Sequence, residues 1–363
     1  MSAIEAHRES ASPQGSEGAA GRSAPAEIAF DAVFKRYPGR ERAAVQDLTF
    51  EVPPGDICVL IGPSGCGKTT ALKMVNRLIS ITDGDITIDG ESVRKLELTQ
   101  LRRRIGYVFQ QIGLFPHMTI ESNIGAVPRL LGWSKSRIRS RAGELLELVG
   151  LDPEGDLRRY PGEFSGGQQQ RIGVARAMAA DPPIMLMDEP FGAIDPIARE
   201  RLQNDFLRLH RQVRKTVIFV THDIDEAIKM GDRIAIMRDG HLVQLDSADR
   251  LLASPADDFV ASFVGEDRGL KRLRVRKLDE LELDPPAGDD SSASVSSDTT
   301  LHFALSRMLA EGTTRLNVVD GDTAVGSVSL GTITRLIAPP EDANGHLAAD
   351  GTSGHPAAEG AGE

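Results

Sequence analysis

Apolar and polar residues alternate along Ile28–Phe34 and Leu48–Val52, the two-residue period of strands that bury one face. The pattern then changes. Ile57-Cys58-Val59-Leu60-Ile61, Ile184-Met185-Leu186-Met187 and Val217-Ile218-Phe219-Val220 are short, unbroken apolar runs, suited to central strands of a parallel sheet with helices on both faces. Helical spacing separates them: Leu72, Val75, Leu78 and Ile79 form one stripe, and Ile172, Ala175, Met178 and Ala179 another. Arg233–Met237 and Leu242–Leu245 flank Asp239-Gly240, a hairpin signal. The pattern predicts an α/β core with an antiparallel sheet on its N-terminal side. No internal repeat is visible.

Periodicity is missing from residues 1–27 and 338–363, where small residues, Gly and acids dominate; both are expected to be disordered tails. Asp284–Ser297, with Pro285, Pro286, Gly288 and a run of Ser and Asp, reads as a flexible loop. The net charge of −11 argues against a general nucleic-acid binder. Glu341, Asp342, Asp350, Glu359 and Glu363 face no Lys or Arg after residue 337, so much of that charge describes solvated ends. No stretch approaches the roughly 18 apolar residues of a membrane helix. The first residues lack the apolar core of a secretory signal, and membrane association is expected only through partner proteins. Cys58 lies in an apolar run and Cys66 in a glycine-rich loop, so neither a disulfide framework nor a metal site is expected.

Gly62-Pro63-Ser64-Gly65-Cys66-Gly67-Lys68-Thr69-Thr70 follows the Ile57–Ile61 run and opens the next helical stripe. It matches G-x-x-x-x-G-K-[ST] in the required strand–loop–helix setting. Glycines let successive N–H groups wrap a phosphate without a clashing Cβ, and the helix N-terminus adds positive potential. Lys68 would reach the β- and γ-phosphates and the Thr69 hydroxyl would ligate Mg2+. At Cys66, small size is reason enough for the residue.

A second constellation starts where Ile184–Met187 ends in Asp188-Glu189, two carboxylates at the carboxyl edge of a buried strand, where open α/β sheets bind ligands. Asp188 suits Mg2+, and Glu189 suits a general base for an attacking water. Ahead stands Phe164-Ser165-Gly166-Gly167-Gln168, then Gln169-Gln170-Arg171. With this segment the chain resembles the nucleotide-binding domains of ABC transporters, whose signature is L-S-G-G-Q; Phe164 replaces its leucine. The resemblance covers residues 28–265. It implies a RecA-like parallel core, an antiparallel N-terminal sheet and a helical subdomain, with ATP and Mg2+ as cofactors.

The resemblance also assigns roles. Tyr37 corresponds to the aromatic residue that stacks on adenine, although a strand aromatic can equally pack in a core. Gln110, in Tyr107-Val108-Phe109-Gln110, corresponds to the glutamine that contacts the metal and the attacking water. Gly192-Ala193-Ile194-Asp195 corresponds to the D-loop, with Asp195 near nucleotide, and His222 to the switch histidine. Ser165, Gly166, Gly167 and Gln168 would complete the ATP site of a second subunit. Since the chain carries one phosphate loop and one signature, a symmetric homodimer is the simplest expectation, with a related ATPase as the alternative partner. Integral membrane permease subunits, approached through Gln110–Arg129, and indirectly a substrate-binding protein, are the further implied partners. The place of action is then the cytoplasmic face of the cell membrane, and the Asp232–Gly265 stretch resembles importers.

Gln110-Gln111-Ile112-Gly113-Leu114-Phe115-Pro116-His117 is similar to the ATPases of glycine betaine, carnitine and choline importers, and Phe263–Leu273 resembles their junction with a CBS region. Residues 266–337 are accordingly expected to form a small α/β CBS-like region. It would comprise a helix over Thr300–Leu309, a strand at Leu316–Val319, a turn at Asp320-Gly321-Asp322, a strand at Ala324–Leu330 and a helix at Thr332–Ile337. Where such regions hold adenosine, an Asp often meets the ribose; the matching position here is Thr332, against nucleotide sensing. One motif alone is expected to pair across a dimer. An importer ATPase for a polyamine, amino acid or sugar, and a non-transport ABC ATPase, remain the alternatives.

Overall fold

The computed structural model describes residues 23–110, 113–192, 194–286, 293–321 and 323–337. The alternating segments form β1 (Ile28–Lys35) and β2 (Val45–Val52), antiparallel neighbours in a four-stranded sheet of order β2-β1-β4-β5 with β4 (Asp83–Ile88) and β5 (Glu91–Ser92). Their inward residues, including Phe30 and Phe50 with rings 4.4 Å apart, share one buried cluster with the unbroken apolar strands.

Those strands are β3 (Ile57–Ile61), β6 (Ile105–Val108), β7 (Ile184–Asp188), β8 (Thr216–Val220) and β9 (Arg233–Arg238), parallel in a six-stranded sheet of order β10-β9-β3-β8-β7-β6. Every residue of β3, β7 and β8 is buried, as strands covered on both faces must be. Only β10 (His241–Asp246) runs antiparallel, closing the Asp239-Gly240 hairpin, where both residues take positive φ (51° and 88°), as a type I′ turn requires.

Helix α1 (Lys68–Val75) follows β3. It stops sooner than its stripe predicts: Arg77 takes φ 51°, and Leu78 lies exposed beyond the end. The segment from α2 (Leu98–Arg103) to β6 is followed by a helical region of α3 (Ile120–Ile124), α4 (Ala126–Leu130), α5 (Lys135–Leu148) and α6 (Gly166–Met178). The apolar stripe of α6 is buried as expected. Helices α7 (Pro196–Val213) and α8 (Ile224–Met230) alternate with β7, β8 and β9, the βαβ order that keeps strands parallel.

Residues 23–27 belong to the fold rather than to the expected tail. Ala26 is buried; Ser23 N–H donates to Asp181 (2.6 Å), and buried Lys215 donates to the Ser23 carbonyl (2.8 Å) while paired with Asp181 (2.8 Å). The cause is local: a buried ammonium must fill its donor positions, and this segment supplies one. The rest of both expected tails, together with Gln111, Ile112, Ala193 and Asp322, lies outside the described residues.

A division falls between Leu251 and Leu252, ahead of the boundary expected at 265. After α9 (Ala248–Ala253), the second unit contains α10 (Asp258–Val264) and α11 (Arg268–Val275). Lys271 ties these two helices by donating to the Val264 carbonyl (2.8 Å) and pairing with Asp267. Beyond them, β11 (Ser294–Ser296), β12 (Arg315–Asp320) and β13 (Thr323–Ser329) form a three-stranded sheet. Helices α12 (Leu301–Glu311) and α13 (Leu330–Ile337) share its core through Leu301, Ala304, Met308 and Ile333. The expected 284–297 loop is narrower than predicted. Asp284 and Ser327 exchange backbone hydrogen bonds, and Ser294–Ser296 pair parallel with β12; residues 287–292 lie outside the described set. Thr332 shares a hydrogen bond with Ser329 Oγ (2.8 Å) at the start of α13.

Candidate functional site

Residues Leu60, Val220 and Asp188 stand level across β3, β8 and β7, and Val108 pairs with Met187 one step away. Four neighbouring strands therefore deliver their following loops to one edge. The Gly62–Thr70 loop wraps from β3 into α1. Two of its glycines are steric necessities. Gly62 takes φ 150° and a Cβ there would run into the Met237 carbonyl; Gly67, at φ 109°, would strike that of Ala44. Lys68 is buried, donating to the carbonyls of Gly62 (2.7 Å) and Pro63 (3.1 Å). Its ammonium lies near Cys66 Sγ (3.7 Å). Among the described residues no carboxylate pairs with Lys68, so a buried cation stands at the N-terminus of α1, where the first N–H groups have no partner within the helix. That arrangement fits an anion.

Across the edge, Asp188 is 4% exposed and accepts from Thr69 Oγ1 (2.9 Å) and from the Tyr107 hydroxyl (3.4 Å), with Lys73 Nζ at 3.6 Å. A hydroxyl and a carboxylate oxygen side by side are the hard donors that Mg2+ takes. Burial first, and then the Asp188 charge, push the Tyr107 hydroxyl above its ordinary pKa, so it remains a donor. Lys73 and Tyr107 were missed from the sequence. Lys73 was findable, because it lies four residues after Thr69 on the same helix face.

Glu189 takes φ 44°, held there by its N–H on the Val220 carbonyl (3.0 Å) and by the Gly192 N–H on its own carbonyl (3.2 Å). A non-glycine residue in that region carries strain, which clusters at working sites. The turn aims its carboxylate at two residues from other loops. Gln110 Nε2 donates to Oε2 at 3.0 Å, and His222 Nδ1 faces the same oxygen at 3.4 Å. Two residues distant from each other in sequence thus converge on one oxygen of Glu189.

Tyr37 does not pack in the core. It lines an open cleft of about 1030 Å³, together with Gly65 and Thr70 of the phosphate loop. Lys35 Nζ sits 5.0 Å from its ring centre while donating to the Ser80 carbonyl (2.7 Å). Ser64 and Gly65 are exposed at the loop's crest.

Ser165 caps α6 in a reciprocal box with Gln168: its N–H donates to Gln168 Oε1 (3.0 Å) and its Oγ accepts from the Gln168 N–H (3.4 Å). Ser165, Gly166 and Gln168 are exposed, and no hydrogen bond among the described residues joins them to the phosphate loop. Phe164 is buried beneath the Arg159 guanidinium, 4.2 Å from its ring centre, which explains why a bulky apolar residue serves there. Asp195 caps α7, accepting from the Ala198 N–H (3.0 Å). Beside Gln110, a groove of about 730 Å³ is lined by Phe109, Phe115, Val127, Leu130, Arg103 and Arg176. Phe109, Phe115 and Leu130 are exposed there.

The ABC transporter family model matches residues 45–192. The osmoprotectant import ATP-binding protein OsmV of Salmonella typhimurium is 60% identical over 240 residues, covering 66% of this chain and 63% of that protein. The glycine betaine/carnitine/choline transport ATP-binding protein OpuCA of Bacillus subtilis is 48% identical over 294 residues, 81% of this chain and 75% of that one. Among solved structures, the dimeric ATP-binding cassette MJ0796 in a post-hydrolysis state with ADP and Pi superposes with a TM-score of 0.55 at 33% identity, covering 61% of this chain and 98% of that one. Identity near one half across three quarters of a relative reflects common descent, and this chain belongs to the ABC transporter family, among its ATP-binding proteins.

Proposed function

We propose that the chain is the ATP-binding and ATP-hydrolysing subunit of an importer for a quaternary amine osmoprotectant such as glycine betaine, carnitine or choline. The observation that carries the hydrolytic reading is the meeting of Gln110 and His222 on Glu189, beside Thr69 and Asp188 and at the edge that holds the phosphate loop. Adenine stacks on Tyr37, and the phosphates lie against the N–H groups of Gly62–Thr70 with Lys68 as their cation. Thr69, Asp188 and Gln110 would hold Mg2+, which supplies charge neutralisation at the phosphates. Glu189 accepts the proton of the attacking water, and Gln110 and His222 fix its carboxylate. Such catalysis is positioning and electrostatics.

Exposure of Ser165, Gly166 and Gln168, with Gly167 half-buried between them and all away from the loop of their own chain, supports a second copy whose nucleotide they cover, with Asp195 nearby. The cleft groove beside Gln110 supports docking of integral membrane permease subunits. Among the described residues no helix is long and apolar enough to cross a membrane, which agrees with a peripheral place on the cytoplasmic face. The substrate class rests on the two relatives' names and spans only part of the first. The second unit, one CBS-like motif, serves assembly in this reading.

Phosphate release from ATP by the full-length protein tests the hydrolytic reading. Glu189→Gln should lower kcat by about 10²–10⁴-fold, as expected for losing a general base, while nucleotide binding persists. Equal rates would remove Glu189 from its role. Uptake of labelled glycine betaine and choline in cells lacking the gene, restored by wild type but not by Glu189→Gln, tests the substrate; undiminished uptake in the deleted strain would overturn it.

A further inference from the structure

Helix α7 starts at the Asp195 cap, and two of its side chains, one turn apart, bind the segment that follows His222, Arg199 at Asp223 and Gln203 at Glu226 in the first turn of α8. Arg199 NH2 donates to the Ile194 carbonyl (3.0 Å), and its NH1 faces Asp223 Oδ2 at 3.8 Å. Gln203 Nε2 donates to Glu226 Oε1 at 3.0 Å, both buried. Asp223 directly follows His222. Its other carboxylate oxygen caps α8 through the N–H groups of Asp225 (2.9 Å) and Glu226 (3.2 Å), and its own N–H donates to Thr221 Oγ1 (3.1 Å).

We propose that Arg199 and Gln203 are positioning residues that hold His222 at Glu189 and tie this placement to the Ile194–Asp195 segment. The role rests on the hydrolytic reading given above. Residues at i and i+4 share a helix face, so a shift of α7 moves both grips together. One fork of the guanidinium reads the segment that launches α7, and the other reads the residue next to the histidine. The Arg199 Nε is buried and, among the described residues, has no partner. An unpaired donor has a cost, and here it accompanies a side chain stretched between two loops rather than one satisfied locally. Burial also raises the Glu226 carboxyl above its ordinary pKa, against the pull of its hydrogen bonds from Thr221 and Gln203; a carboxyl kept there at that cost anchors the far end of the same turn. His222 is exposed, and among the described residues its side-chain contact is the one to Glu189, so its position depends on the two residues that flank it.

The test is steady-state ATP hydrolysis by the full-length protein, with ATP varied at saturating Mg2+. Wild type, Arg199→Met, Gln203→Met, Asp223→Asn and the Arg199→Met/Asp223→Asn double variant are compared, and thermal melting is followed in parallel. Misplacing a group by less than an ångström is expected to lower kcat about tenfold in Arg199→Met, with KM for ATP held within about twofold. The double variant should lose no more than the worse single variant, because both changes cut one tie. A purely structural role would lower the melting temperature and leave kcat intact well below it. An unchanged kcat in Arg199→Met, a loss confined to KM, or losses that multiply in the double variant would each overturn the proposal. A wild type that binds ATP but releases no phosphate would instead overturn the hydrolytic reading, and this one with it.

Discussion

Tyr37 shows what a single residue decides. Its ring stands beside the phosphate loop, steadied by the Lys35 ammonium over its face, and it has no structural load to bear in the core. Base–aromatic stacking is worth about 1–3 kcal/mol. Tyr37→Ala is therefore predicted to raise KM for ATP about tenfold or more with kcat little changed, and Tyr37→Trp to restore it; an unaltered KM would place adenine elsewhere. Asp181 acts at the other extreme, in stability alone. Burial by itself would raise its carboxyl, but the Lys215 and Ser23 hydrogen bonds and the Lys215 and Arg141 charges outweigh it and hold the pKa below its ordinary value. A depressed pKa in the folded state means that the stabilisation is complete above the unfolded value of 3.8, and is lost as pH falls through the folded one. Asp181→Asn should cost about 2 kcal/mol near pH 7, less than the about 3–5 kcal/mol of a fully buried pair because Asp181 keeps some water. Melting curves from pH 7 to 3 should show the gap from wild type closing at the acid end. A gap that widens there would contradict the sign.

At the scale of elements, most of what positions the site was legible. Unbroken apolar runs gave β3, β7 and β8 to within a residue, because strands covered on both faces have no polar period to blur them. The Asp239-Gly240 hairpin was equally plain. Less legible were β4, β5 and the two-sided packing of the Ser23–Glu27 segment, whose partners Asp181 and Lys215 lie far along the chain. The end of α1 was misplaced because Leu78 and Ile79 keep helical spacing after the backbone has turned at Arg77. Among candidate site residues, motif spacing pointed to Lys68, Asp188, Glu189 and His222. Nothing in spacing announces that Gln110 and His222 meet on one oxygen, or that Tyr107 reaches Asp188, since these contacts come from the order of the sheet; Lys73, one turn after Thr69 on α1, was the exception. The loop–helix junction carries its own prediction. A Cβ on Gly67 meets the Ala44 carbonyl at φ 109°, so Gly67→Ala should destabilise the protein by about 1–3 kcal/mol and weaken ATP binding. A denaturant midpoint equal to that of wild type would show that the loop has slack.

For the molecule as a whole, the main feature of the proposed site is its division into two halves. Lys68, Thr69, Asp188, Glu189, Gln110 and His222 gather at one sheet edge, while Ser165, Gly166 and Gln168 stand exposed at the start of α6, and among the described residues no hydrogen bond joins them to that edge. A helix N-terminus capped by its own Ser165–Gln168 box is preformed, so it needs a partner rather than a rearrangement. The fold of the first unit was foreseeable from its pattern; that the signature points to solvent was not, because sequence order alone cannot say which helix ends face each other. In the proposed function, nucleotide joins the two halves across two copies of the chain. Its most direct measurement is the mass in solution of full-length Glu189→Gln, by light scattering, with and without ATP and Mg2+. Adding ATP should shift the mass from the 39.1 kDa of one chain to twice that value, with no shift when Ser165→Arg is added to the same variant. A mass that stays at one chain under saturating ATP, or a dimer indifferent to both nucleotide and Ser165, would contradict it.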